Sequence, residues 1–263
     1  MRMENALIER HVPFTESYRL LRMAAPGIAP DVQPGQFVHI RLPAPEDALL
    51  RRPFSVFKAD DRCVEILYKA VGRGTSAMVD LVPGQTLSLI GPLGRGFPPV
   101  STDRLPVLVA GGYGMAALYL TAARAPRAGV AFFGGRTRTD ILCVPDFEAL
   151  GWRVVVATED GSLGERGLVT AALDPWLASR PPGEVPELFA CGPNEMLREV
   201  GRRAERHGCR AWISMDRNMG CGVGACLTCV CRVRDPQRGS VWARCCREGP
   251  VFDSRDIIWE ETT

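Results

Sequence analysis

The feature that most restricts what this chain can fold into is a change of hydrophobic rhythm near residue 100. Beyond it, near-continuous apolar runs recur as LPVLVA, GVAFFGG, RVVVAT, ELFACG and RAWISM. The helical patterns MAALYLTAARA, DFEAL, GLVTAALDPWLAS and PNEMLREVGRRAERHG fall between them. Strands apolar on both faces need cover on both faces, and amphipathic helices between them supply it. Residues 101–215 are therefore predicted to form a parallel α/β domain. Residues 1–100 carry short alternating segments broken by Gly and Pro: GQFVHIRL, PFSVFKA, CVEILYKAV and QTLSLIGPLG. That texture predicts antiparallel strands closing into a small β-barrel. Residues 216–263 form a third, cysteine-rich region, so the expected chain is a multidomain mixture of α+β and α/β.

The third region is the most specific. MGCGVGACLTCVC, residues 219–231, places four cysteines within eleven positions, and Cys245 and Cys246 follow. A chain of 263 residues buries roughly three-quarters of its unfolded surface, so its ten cysteines are not needed as staples. The N-terminal MRMENALIERH lacks the apolar segment of a signal peptide, and no apolar run is long enough to span a bilayer. The expectation is a cytoplasmic chain with reduced thiols, where clustered cysteines point to a metal or redox site. Cys221, Cys226 and Cys229 have the C-x4-C-x2-C spacing of a plant-type 2Fe-2S cluster, which a distant fourth cysteine completes. Structural zinc sites more often show two C-x2-C pairs. Four thiolates and two sulfides make a negative assembly that needs backbone N–H groups pointed inward. Gly220, Gly222 and Gly224 supply the conformational freedom for such a wrap. The fourth ligand is Cys245 or Cys246; Cys231 is a further candidate, one residue past the C-x2-C and facing away. The competing reading is a zinc knuckle or unligated core cysteines. Cys63, Cys143 and Cys209 sit in apolar contexts and read as core.

Two further segments read as ligand-binding. RRPFSV, residues 51–56, sets Arg52, Phe54 and Ser55 along one extended edge. Arg52 can clamp a pyrophosphate, Ser55 can bond a phosphate or ribityl oxygen, and Phe54 can flank a ring. GRGTSAM, residues 72–78, adds glycines, a hydroxyl and a helix start, an arrangement suited to an anion. LPVLVAGGYGMAAL, residues 105–118, reads as strand, glycine turn and helix, with Gly111, Gly112 and Gly114 admitting a pyrophosphate. CGPNEML, residues 191–197, is a second such turn and would set Cys191 beside a bound nicotinamide. Each is also compatible with a plain strand end or tight turn. Net charge is +2, from 32 basic and 30 acidic residues, which argues against nucleic acid as partner. Arg202-Arg203 reads as a solvated helix face. The three histidines, His11, His39 and His207, lie in no catalytic motif, and His207 is expected at the surface.

Taken in order, RPFS, GT, GPLGRGF, AGGYGMAAL and CGP resemble the ferredoxin–NADP reductase superfamily. The C-terminal M-x-C-G-x-G-A-C-x-x-C, followed by C-x-x-G-P-V-F, is narrower and resembles the electron-transfer subunits of class B dihydroorotate dehydrogenases. The resemblance spans essentially the whole chain. It implies an FAD-binding barrel at 1–100, an NAD(H)-binding domain at 101–215 and a 2Fe-2S subdomain at 216–263. It implies FAD contacts from Arg52, Pro53, Phe54, Ser55, Leu67, Tyr68, Lys69, Gly74 and Thr75. NAD contacts would come from Gly111, Gly112, Gly114, Cys191, Gly192 and Pro193. It selects Cys246 beside Cys221, Cys226 and Cys229 as cluster ligands. The implied partner is an FMN-containing catalytic subunit that oxidises dihydroorotate in pyrimidine (UMP) biosynthesis, in a heterotetramer of two of each chain. Electrons would pass from that FMN to the cluster, then FAD, then NAD+, with the cofactors carrying the chemistry.

Two departures stand out. The first nucleotide turn reads GGYGMAAL, with Tyr113 where a small residue is usual and without the usual proline. Tyr113 is expected to crowd the pyrophosphate or reshape the nicotinamide pocket. The second is the doubled Cys245-Cys246. Rival assignments of the same layout are the reductase subunits of a sulfide-linked hydrogenase, a sulfite reductase or a ferredoxin–NADP transhydrogenase. A rival of another class is a zinc-binding interaction module. Arg136 and Arg138, after the GVAFFGG strand, are placed to accept a 2′-phosphate or to lie on the surface; NAD is favoured by the resemblance alone.

Overall fold

The structure, a computed structural model, describes residues 1–43, 50–181 and 183–259. Seven strands build the first sheet: β1 (Arg2–Pro13), β2 (Tyr18–Ala24), β3 (Phe37–Ile40), β4 (Arg52–Ser55), β5 (Lys58–Ala59), β6 (Cys63–Lys69) and β7 (Thr86–Leu93). Their order is β4-β3-β7-β1-β2-β6-β5 with every pairing antiparallel. The two edge strands, β4 and β5, are consecutive in sequence. Val56 and Phe57 join them, both buried, with Val56 N–H donating to Gln36 O (3.1 Å) and Phe57 N–H to Glu65 O (2.8 Å). That short link bends the sheet back toward itself and makes the half-barrel. Alternate residues Ala6, Ile8, Leu21, Met23, Val38, Ile40, Val64, Ile66, Leu87 and Leu89 fill its interior. Helix α1 (Arg73–Ala77) sits between β6 and β7.

The second sheet contains β8 (Leu105–Gly111), β9 (Val130–Gly135), β10 (Arg153–Thr158), β11 (Glu165–Arg166), β12 (Pro186–Cys191) and β13 (Arg210–Ser214), all parallel. Each of the five predicted apolar runs is one of these strands. Helices α2 (Gly114–Ala123), α3 (Val144–Glu148), α4 (Val169–Ala178) and α5 (Asn194–Arg206) occupy the four predicted helical stretches. Helix α5 is amphipathic, burying Leu197, Val200, Gly201 and Ala204 at helical spacing. Helix α2 is not, and here the expected amphipathic cover fails. It is buried on nearly every side because it lies between the sheet and the half-barrel. Leu120 joins the half-barrel core, and the Tyr119 ring sits 5.0 Å from Phe57 and 5.7 Å from Phe147. Lys58 of β5 reaches Asp146 of α3 at 2.6 Å across the same seam.

After β13 the chain leaves the sheet, forms a hairpin of β14 (Val230–Asp235) and β15 (Gly239–Arg244), and returns as β16 (Val251–Asp253). β16 pairs antiparallel with β13, with Ser214 opposite Val251, and Met215 N–H donates to Pro250 O (2.9 Å). The cysteine-rich segment is thus an excursion whose two ends are hydrogen-bonded to each other. The expected third region therefore shares its last strand with the second. Asp253, buried at that return, is held by Arg210 (3.0 Å) and Arg255 (2.6 Å). Among the described residues, no helix is long and apolar enough to cross a membrane.

Candidate functional site

A cavity of about 880 Å³ opens where the half-barrel, the α/β sheet and the start of the excursion meet. Its barrel wall is Arg52, Pro53, Phe54 and Ser55 of β4 and Leu67, Tyr68 and Lys69 of β6, with Thr75 of α1 at one end. Strand alternation separates the two neighbouring arginines. Arg51 turns away and donates to Ser88 O (2.6 Å) and Ser88 Oγ (2.8 Å). Arg52 stays at the cavity, donating to the carbonyls of Leu50 (2.9 Å) and Arg51 (3.2 Å). Tyr68 is fixed through His11. His11 Nδ1 lies 2.7 Å from the Leu81 carbonyl and must donate there, so Nε2 accepts from the Tyr68 hydroxyl (2.9 Å). Gly74 lies off the wall, where a Cβ would press on Leu42 Cδ1 at 2.7 Å. The N–H groups of Gly74 and Thr75 precede the first intrahelical bond of α1, from Ser76 N–H to Gly72 O (2.8 Å), and remain for other acceptors. Cations, hydroxyls and rings in this order suit a ligand that joins an anionic chain to a flat ring system.

The opposite wall belongs to the carboxyl ends of the parallel strands, where such sheets bind ligands. Tyr113, Ala116, Arg136 and Cys191 line it. The glycines of the two turns have separate uses. Gly114 packs so closely on the Cys191 carbonyl that any Cβ would collide with it. Gly111 lies against Pro193 in the same way, and Gly192 against Gly111 and Met196. Those three let the two turns interlock. Gly112 has φ +54°, and a Cβ there would meet nothing within 4 Å. It is the glycine with open space for a ligand's backbone approach. Burial pushes the Cys191 thiol up to about 12, and nearby Asp216 adds to the shift, so it is neutral at physiological pH. The Tyr113 hydroxyl donates to Asp216 Oδ2 at 2.5 Å, and burial together with that carboxylate makes it a weaker acid than an ordinary phenol. Arg138 lies off the wall, in a short turn with its N–H on Ser162 Oγ (2.8 Å).

Sequence reasoning missed the third wall: Ser214 at the end of β13, and Asp216, Arg217, Asn218 and Met219 at the start of the excursion. It also missed Tyr18, whose ring takes the Lys69 ammonium at 5.4 Å. The signal was available in DRNM, four polar or flexible residues wedged between a buried strand and the first cluster cysteine.

The excursion brings four sulfurs together in two pairs. Cys221 N–H donates to Cys226 Sγ (3.4 Å), while Ala225 N–H (3.2 Å) and Cys226 N–H (3.4 Å) donate to Cys221 Sγ. The Thr228 hydroxyl reaches Cys226 Sγ at 3.2 Å. That bond, with backbone N–H groups of Cys221 and Thr228, lowers the exposed Cys226 thiol to about 6. Cys246 N–H donates to Cys229 Sγ (3.4 Å), and burial pushes the Cys246 thiol up to about 12. Cys245 faces away from these four, toward Cys231, with sulfurs 3.7 Å apart and both side chains buried. The Cys231 interaction and burial raise the Cys245 thiol far above its ordinary value.

Gly222 and Gly224 have φ of +69° and +85°. Gly220 departs from the expectation: its backbone is ordinary, and it is small because a Cβ would come within 3.2 Å of Cys226 Sγ. Arg244 clamps the loop, donating to Gly224 O (2.8 Å) while paired with Glu248. Beneath Gly222 lies His39 of β3, fully buried, with both ring nitrogens lacking a hydrogen-bond partner among the described residues. Burial holds its basicity below that of a free imidazole. Cys63 and Cys143 are core residues as expected; Cys209 is half-buried, and His207 is exposed.

Comparison with known proteins agrees with this geometry. Residues 216–258 match the iron–sulfur cluster binding domain of dihydroorotate dehydrogenase B. The dihydroorotate dehydrogenase B (NAD(+)) electron transfer subunit of Geobacillus kaustophilus is 37% identical over 234 residues, 86% of this chain and 87% of the relative. That of Geobacillus sp. WCH70 is 33% identical and covers 98% of this chain and 99% of its own length. The chain belongs to the family of dihydroorotate dehydrogenase B electron transfer subunits. The solved NADH-dependent reduced ferredoxin–NADP oxidoreductase, described in terms of flavin-based electron bifurcation, superposes with TM-score 0.82 at 26% identity. It covers 97% of this chain and 90% of that one. Among the described residues, no three His, Cys, Asp or Glu side chains converge as they would on a single metal ion. A binuclear cluster asks for something different. Four cysteine thiolates in two pairs would suit it, and Cys221/Cys226 and Cys229/Cys246 are grouped in that way.

Proposed function

We propose that this chain is the electron-transfer subunit of a class B dihydroorotate dehydrogenase, holding a 2Fe-2S cluster and FAD and passing electrons to NAD+. The observation that carries the reading is continuity. The segment Ser214–Met219 lines the cavity and runs directly into Cys221, so one rigidly anchored stretch borders both cofactor sites. When bound, the cluster supplies one-electron transfer, the flavin converts between single electrons and pairs, and the nicotinamide carries hydride.

This chain's own residues bind and orient. Arg52, Ser55, Thr75 and the Gly74 N–H would hold the flavin's pyrophosphate and ribityl chain, while Pro53, Phe54, Leu67, Tyr68 and Lys69 border its ring. Gly112 would receive the dinucleotide's phosphates, with Gly111, Gly114, Gly192 and Pro193 holding the turns in place and Cys191 beneath the nicotinamide. The N–H groups of Cys221, Ala225, Cys226 and Cys246, already aimed at sulfur, would stabilise the negative cluster. Domains of 1–100, 101–215 and 216–263 divide these duties. The partner is an FMN-containing subunit that oxidises dihydroorotate, in a cytoplasmic complex of two of each chain. Exposed Cys226 and exposed Leu227 on the cluster rim support that docking face. The likeness to the ferredoxin–NADP oxidoreductase favours one second reading, a reductase subunit serving another partner.

The test is anaerobic purification followed by iron, sulfide, zinc and flavin analysis, then assay with the FMN subunit. About two irons, two sulfides and one FAD per chain, with dihydroorotate-dependent reduction of NAD+, support the proposal. Zinc without flavin refutes it, and turnover with a ferredoxin in place of dihydroorotate assigns the second reading.

A further inference from the structure

Tyr113 interrupts the first nucleotide turn with a large side chain, and its contacts give that side chain a task. The strand order β8-β12-β13 puts β12 between the other two. Tyr113 stands two residues beyond the end of β8, and Asp216 two residues beyond the end of β13. Neighbouring strands are about 4.8 Å apart, so the two lie on either side of a gap of about 10 Å. Their 2.5 Å hydrogen bond therefore crosses over the carboxyl end of β12, which is Cys191. Cys191 is close enough to feel the charge of both partners. Gly112, the residue before Tyr113, opens on empty space, since a Cβ there would meet nothing within 4 Å. Tyr113 is 50% exposed, and Asp216 is exposed too, so nothing in the packing locks the pair shut.

We infer that the Tyr113–Asp216 bridge is a gate over Cys191 that a nicotinamide ring must open to reach the flavin. The inference rests on the proposed nicotinamide site. A dinucleotide seated on Gly112 has to extend across the end of β12 to bring its ring to the β4–β6 wall. The closed bridge spans that route. Binding then draws on the fraction of molecules with the bridge open, and the apparent dissociation constant is raised by the inverse of that fraction. Tyr113 is in this sense a positioning and selectivity residue: it sets how readily the nicotinamide enters and takes no part in electron transfer.

The test compares wild type, Tyr113→Phe, Asp216→Ala and the double variant as full chains loaded with FAD and cluster. NAD+ and, in parallel, NADP+ are titrated by calorimetry under anaerobic conditions. A hydrogen bond to a charged acceptor at a partly exposed site is expected to shift binding about fivefold. Each single variant should bind about fivefold more tightly. The double variant should gain no more than either single, because all three remove the same bond. The KM for NADH should fall in parallel. Unchanged or weaker binding in either single variant, or additive gains in the double, overturns the gate. Binding of neither dinucleotide by any of the four chains overturns the nicotinamide site, and the gate with it.

Discussion

Replacing Cys245 and Cys246 by alanine, one at a time, separates ligation from packing. Both side chains are buried, at 0% and 3% exposure, and they are adjacent, so the packing cost of losing a sulfur is closely matched. Deleting one buried methyl-sized group costs about 1 kcal/mol. That corresponds to a fall in Tm of roughly 2–4 °C for a protein approaching this size. Cys245→Ala should show that fall and little else. Its sulfur faces Cys231 across 3.7 Å rather than either of the Cys221/Cys226 and Cys229/Cys246 pairs. Cys246→Ala should show the same packing loss and also lose the cluster. It removes half of the Cys229/Cys246 pair, leaving one iron with a single thiolate. The assays are iron and acid-labile sulfide per chain, the visible spectrum and a thermal melt. Cys245→Ala should keep about two irons, while Cys246→Ala should fall well below one. If Cys245→Ala empties the site and Cys246→Ala retains it, the reasoning from the Cys245–Cys231 and Cys246–Cys229 contacts is wrong.

Other perturbations follow from the same geometry. Cys226→Ser should impair electron flow from the FMN subunit while NADH still reduces the FAD, because Cys226 touches no wall of the cavity; equal loss of both activities in a stopped-flow comparison would refute this. Gly222→Ala should lower cluster occupancy: the backbone there is left-handed, at about 1–2 kcal/mol for a residue with a Cβ, and the new methyl would strike the His39 ring. Iron content after reconstitution reads that effect, and wild-type occupancy would count against it. In the cluster-free chain, Cys226 should alkylate with an inflection near pH 6, because its thiolate is stabilised first by the Thr228 hydroxyl. The rate should rise as pH climbs through that value. Thr228→Val should move the inflection upward, and an unmoved profile would remove Thr228 from the account.

Much of the α/β half was legible because five of its parallel strands are apolar runs that need cover on both faces, which few other structures require; β11, an exposed Glu-Arg pair, left no such mark. The half-barrel was legible only in part. β1 reads RMENALIERHVP, and its inward face contributes little more than Ala6 and Ile8, so charge on the outer face hides the strand. Helix α2 looked like any sheet-covering helix. Its sequence carries no record that a second domain would bury its other side. In the cavity, the β4 residues were reached through the RPFS motif and the β6 residues through the family resemblance, but the 214–219 wall was not. It has no motif, and its role comes from where β13 ends.

The choice between Cys245 and Cys246 shows the same limit more sharply. Spacing was enough to nominate three ligands, since C-x4-C-x2-C is a local relation along one loop. The proposed fourth, Cys246, depends on where β15 ends against β14: Cys231 pairs with Ala243, and Cys245 N–H donates to Cys229 O (2.8 Å). Cys245 and Cys246 then fall in the turn that follows β15, where the chain leaves strand geometry: the Cys245 sulfur faces Cys231, and Cys246 N–H donates to Cys229 Sγ. The hairpin is held by Arg244 on Gly224 and by the return of Val251–Asp253 to β13, so the register and the position of the excursion are anchored to the sheet. The distance between cluster and cavity is then a property of β13 and β16. Substitutions in the exposed hairpin turn at 236–238 should leave it unchanged, while loss of Asp253, which ties β16 down through Arg210 and Arg255, should loosen it.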